Sequence, residues 1–188
     1  FYAIYKWINT NIKFDSDSNL LWESYTKNNF STDIDSSYVC KGVNLYELMC
    51  KNAGLDCIWV EGYANIITNK PKQYTINHEW NIITLYGKQY IVEPTWAIID
   101  NKEAVGYKRY FLMDPKVAIL THFPEDSKNQ LLPKPILYET FRKLPILSLK
   151  SLNRYDVEFI QIPKGIINSK IELIGKVPDS VRHVILIS

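Results

Sequence analysis

The run HEWNIITLYGKQYIVEPTW, His78 to Trp96, constrains the fold more than any other stretch of the chain. Two β-rich segments, His78 to Leu85 and Lys88 to Glu93, flank Tyr86-Gly87, a two-residue loop with glycine where a tight hairpin turn needs it. That loop sets Leu85 against Lys88, and each step back along the first strand meets one step forward along the second. Trp80, Ile82 and Thr84 then share one face and Glu79, Asn81, Ile83 and Leu85 the other, while Tyr90 and Val92 alternate with Ile91 and Glu93. Apolar residues on both faces predict strands interior to a larger antiparallel sheet. Pro94 ends the second strand. At the open end of the ribbon, His78 and Glu93 stand two positions apart with matching parity, so both side chains point to one face as diagonal neighbours. A carboxylate beside an imidazole fixes its tautomer and favours its protonated form.

A second stretch, SSYVCKGVNLYELMCKNAGLDCIWVEGYA from Ser36 to Ala64, reads as loop, helix, tight turn and buried strand. From Val39 the apolar residues Val43, Tyr46, Leu48, Met49, Cys50 and Ala53 recur at three- and four-residue steps, the pattern of a helix with a broad buried face. Gly54 supplies a left-handed stop and Leu55 the apolar residue beyond it. Cys57, Ile58, Trp59 and Val60 follow as a short apolar strand. Cys40 falls in the first turn of this helix, where unpaired N–H groups and the positive end of the dipole favour a thiolate. With the open end of the hairpin beneath it, the set Cys40, His78 and Glu93 has the make-up of nucleophile, base and orienting acid.

The remaining sequence frames that set. Phe1, Ile4, Tyr5, Ile8 and Ile12 form one helical stripe, and Leu20, Leu21, Trp22 and Tyr25 follow a polar break as a short second helix. Asn28 to Ser37 and Asn65 to Asn77 are polar loops. With 188 residues, 46% of them hydrophobic, the chain buries one full core and the start of a second. A net charge of +2 argues against a nucleic-acid partner, and no segment has the run of apolar residues that a membrane span requires. Opening on Phe1 within a helical pattern, the sequence reads as a piece of a longer protein. Three cysteines make no disulfide framework and favour a reducing, cytoplasmic setting.

The order of Cys40, then His78 on one strand, then an acidic residue before Pro-Thr-Trp on the next resembles the transglutaminase-like superfamily. The runs RYFLMDPKVAILTHFPEDSKNQLL, Arg109 to Leu132, and PILYETFRKLP, Pro135 to Pro145, are similar more narrowly to its kyphoscoliosis peptidase-like subgroup. The resemblance implies an α+β fold with a papain-like core, N-terminal helices packed on an antiparallel sheet, over residues 1–149. It implies a partial immunoglobulin-like β domain over 150–188, where short β-like runs at Val157 to Ile160, Ile171 to Ile174 and Val181 to Ile187 are separated by Pro-containing turns. By the same resemblance Cys40 takes the nucleophile's place, His78 the base's and Glu93 the acidic member's, although the family pattern usually has Asp there. The implied activity is a peptidase or transamidase acting through a thioester, without cofactor or metal, on protein substrates and in association with the cytoskeleton. The alternative is an inactive transglutaminase-like scaffold that binds cytoskeletal proteins.

Other residues have plainer readings. Cys50 and Cys57 belong to the core, and no C-x-x-C spacing joins the cysteines with His78 in a zinc site. His122, in THFPED after the helix-like Asp114 to Leu120, is expected to make a helix-end and loop contact. Asp114-Pro115 reads as a helix start, capped by Asp with Pro in the first turn. Trp80 and Trp96 read as core or pocket wall. The Cys40 N–H is one expected oxyanion donor, and Trp22, Tyr38 and Asn81 are candidates for the second. No EF-hand-like loop supports calcium dependence.

Overall fold

A computed structural model of the chain describes residues 1–12, 42–65, 78–99 and 109–144, together with the strand backbones at 158–159, 166–167, 170–171 and 175–176. The protein is α+β. Five strands form one sheet in the order β4-β3-β2-β1-β5: β1 Cys57–Ala64, β2 His78–Leu85, β3 Lys88–Val92, β4 Phe111–Met113 and β5 His122–Pro124. Pairing is antiparallel at β1–β5, β2–β3 and β3–β4. Both strands of the hairpin are interior to the sheet, in keeping with apolar residues on both their faces: Trp80, Ile82 and Val92 are buried, and so are Asn81, Ile83 and Ile91.

Register in the hairpin is the one its loop dictates. Leu85 pairs with Lys88 and the ladder continues residue for residue to Asn81 and Val92. Tyr86 and Gly87 have φ of 52° and 74°, both left-handed, the type I′ geometry that matches the twist of the flanking strands. Glycine adopts that conformation freely, but tyrosine does not, and Tyr86 is 99% exposed with no burial to offset the strain. Replacing Tyr86 with Asn, the residue most at ease in this position, should therefore stabilise the protein by roughly 0.5–1 kcal/mol. Thermal unfolding of the variant, with a raised midpoint, is the check.

By backbone proximity the chain divides into two units, Phe1–Val60 with Glu79–Met113, and Glu61–His78 with Asp114–Ser188. In the first, helices α1 (Tyr2–Asn11), α2 (Gly42–Asn52) and α3 (Pro94–Ile99) pack on one another. The stripe predicted for α1 is the buried one, with Tyr5, Ile8 and Ile12 inside. Tyr5 meets Tyr46 of α2 edge-on at 6.0 Å and Phe111 of β4 at 5.0 Å between ring centroids. α2 ends as its sequence requires: Gly54 has φ of 69°, its N–H donates to the Lys51 carbonyl, and the Leu55 N–H donates to the Cys50 carbonyl, the paired bonds of a Schellman stop. The turn returns the chain to β1, and the Thr84 N–H donates to the Asp56 carbonyl at 3.0 Å.

In the second unit, β5 pairs with the end of β1 through Gly62–Pro124, Tyr63–Phe123 and Ala64–His122. Tyr63, Phe123, Tyr138 and Phe141 form an aromatic cluster, with Tyr63 and Tyr138 at 4.5 Å and Phe123 and Phe141 at 5.2 Å between centroids. Such ring pairs add about 0.5–1.5 kcal/mol each beyond burial. Tyr138 and Phe141 lie on helix α5, Tyr138–Phe141. Helix α4, Pro115–Ala118, starts where the Asp-Pro pair places it, with the Asp114 carboxylate accepting from the Lys116 N–H at 2.8 Å. Buried Gln130 clasps the segment before α5 by donating to the Ile136 carbonyl and accepting from the Ile136 N–H. Further along, β6 (Glu158–Phe159) pairs with β9 (Gly175–Lys176) and β7 (Ile166–Ile167) with β8 (Lys170–Ile171), all antiparallel. The expected short helix at Leu20 to Tyr25, the loop at Asn28 to Ser37, the loop at Asn65 to Asn77 beyond its first residue, and the boundary at 149–150 lie outside the described residues.

Candidate active site

Glu93 follows the last residue of β3 and precedes Pro94, the first of α3. Pro94 ends the strand, as its sequence predicts, and also opens a helix, in the position where its missing N–H costs nothing. Glu93 is fully buried at 0% exposure, and its Oε1 accepts from the Trp96 N–H at 3.0 Å. The carboxylate thus caps α3, satisfying one of the donors that a helix start leaves over. The Glu93 N–H donates to the Tyr110 carbonyl at 2.8 Å, so the backbone on which this carboxylate stands is fixed as well. Tyr5 lies within its field: burial first, and then the Glu93 charge, push the Tyr5 phenol far above its usual range and keep it protonated.

His78 is the first residue of β2 and is half-buried. The observed ladder runs to Asn81 and Val92, the residue before Glu93, and His78 shares the parity of Trp80 along β2. Asn81 has the opposite parity, and its Nδ2 donates to the Ile58 carbonyl at 3.4 Å. Cys40, Trp22 and Tyr38 lie outside the described residues, and Gly42 is the first described residue of the helix expected to carry Cys40.

Cys50 and Cys57 are buried free thiols. The Cys57 thiol donates to the Cys50 sulfur, which draws the Cys50 pKa down against the opposing effect of burial. The same contact, together with burial, pushes the Cys57 thiol far up and keeps it protonated. Two core thiols shielded from solvent leave Cys40 as the cysteine to which the activating argument applies.

His122 is not the loop contact its sequence suggests. It is the first residue of β5, 2% exposed, with its ring 5.1 Å from that of His78 between centroids and inclined at 50°. Its flanks, with Pro124 two residues on and acidic residues following, concealed a strand that only the distant partner β1 defines. No described helix is long and apolar enough to cross a membrane. Comparison with known protein families finds none that matches the chain, and no curated protein matches it either.

Proposed function

We propose that the chain is a transglutaminase-like cysteine enzyme acting on protein amides, with Cys40 as nucleophile, His78 as base and Glu93 as the acid that orients it. The observation that supports this most is the β2–β3 ladder, whose register through Asn81 and Val92 agrees with the alternation from which the pair is read, together with the bonds from Trp96 and to Tyr110 that hold Glu93. The helices and antiparallel sheet then correspond to the family's papain-like core, and the strands beyond residue 150 to the start of its immunoglobulin-like domain. In the reaction, His78 takes the proton from the Cys40 Sγ and the thiolate attacks the amide carbonyl carbon. The tetrahedral intermediate expels the amine, which leaves with the proton from His78, and a thioester remains on Cys40. Water resolves it to a carboxylate, or a lysine amine resolves it to a crosslink. Cytoskeletal proteins are the substrate class that the resemblance carries.

A second reading has its own observation. Glu93 already caps α3, so its burial is accounted for without catalysis, as in a scaffold that binds cytoskeletal partners and turns nothing over. One experiment separates the two. Protein incubated with a glutamine-bearing substrate protein and a labelled primary amine should yield label incorporation, or cleavage without incorporation, that disappears in Cys40→Ala. If neither product forms and hydroxylamine captures no acyl group from Cys40, the scaffold reading stands instead.

A further inference from the structure

We propose that His78 and His122 together bind a divalent transition metal of the zinc class, an assignment independent of the acyl-transfer reading. Both residues belong to the same unit, their rings adjoin at 5.1 Å, and a ring nitrogen of each lies within 4.8 Å of the other. The Thr121 hydroxyl lies 3.4 Å from the Ala118 carbonyl and 2.8 Å from the His122 Nδ1. In the tautomer whose Nδ1–H donates to that hydroxyl oxygen, the lone pair of the neutral ring is on Nε2. Holding one ring nitrogen with a protein acceptor so that the other presents its lone pair is how metal-binding histidines are oriented.

Burial and the Ala64–His122 strand pairing make His122 the fixed ligand, and half-buried His78 is the more exposed of the two. Two nitrogens on one tetrahedral zinc ion stand roughly 3.3 Å apart, given bonds of about 2.0 Å. Binding the ion draws the two nitrogens, already within 4.8 Å of each other, onto that spacing. Imidazole nitrogen selects zinc, cobalt, nickel or copper over magnesium and calcium, and water completes the coordination. Metal held in this way occupies the His78 lone pair, so a bound ion prevents His78 from accepting a proton.

Cobalt(II) is a suitable probe, because its visible absorption reports coordination directly and needs no catalytic activity. Titration of the whole protein should show one equivalent bound through nitrogen, displaced by Zn²⁺ and not by Mg²⁺. Affinity should fall at least tenfold in both His78→Ala and His122→Ala, and stay unchanged when the third histidine of the sequence is replaced in His183→Ala. Cobalt should also broaden the ring proton resonances of both His78 and His122 in the unaltered protein, a test that holds even if His122→Ala does not fold. Wild-type affinity in either folded variant, or broadening of only one of the two rings, would overturn the assignment. Because the readout is coordination, failure of the acyl-transfer reading leaves the result unaffected.

Discussion

Glu93→Ala should destabilise the protein by about 2–3 kcal/mol, read as a lower urea midpoint. Removing a cap costs roughly 0.5–2 kcal/mol, and stranding buried partners of a polar group adds about 1–3 kcal/mol. Both apply, since the side chain is fully buried and its Oε1 receives the Trp96 N–H. Glu93→Gln keeps an oxygen able to accept that bond and should retain most of the stability. It loses the charge that would stabilise a protonated imidazole, so activity should fall while the fold persists. Glu93→Asp, a stronger capping residue, should retain or raise any activity. Equal destabilisation by Gln and Ala would show that the charge, and not the cap, is what the fold requires.

His78→Ala should lower any amide turnover by about 10²–10⁴, the usual contribution of a positioned acid–base group. Its effect on stability should stay within about 1 kcal/mol, because the side chain is half-buried and begins its strand. Turnover measured beside the thermal midpoint separates these outcomes. Undiminished turnover in a folded variant would remove His78 from the mechanism.

The hairpin was legible because a two-residue loop leaves a single register, and both buried faces of β2 and β3 follow from it. The stop at Gly54-Leu55 and the Asp114 cap were legible for the same reason, since each depends only on neighbouring residues. Elements set by distant partners were not. PTWAII carries β-branched and aromatic residues without helical periodicity, yet it forms α3 once Glu93 caps it. His122 looks like loop between Thr121 and Pro124, and becomes a strand residue only through its pairing with Ala64. Parity places Glu93 among the candidate residues, while its role as a cap required the fold.

The most direct test is the pH dependence of Cys40 alkylation in native protein. Cys50 and Cys57 are buried, so a small alkylating agent under folded conditions reports on Cys40. An activated nucleophile predicts reaction governed by a pKa below the free-thiol value of about 8.5, rising toward that value in His78→Ala. A Cys40 that titrates near 8.5 and is indifferent to His78→Ala would contradict the account.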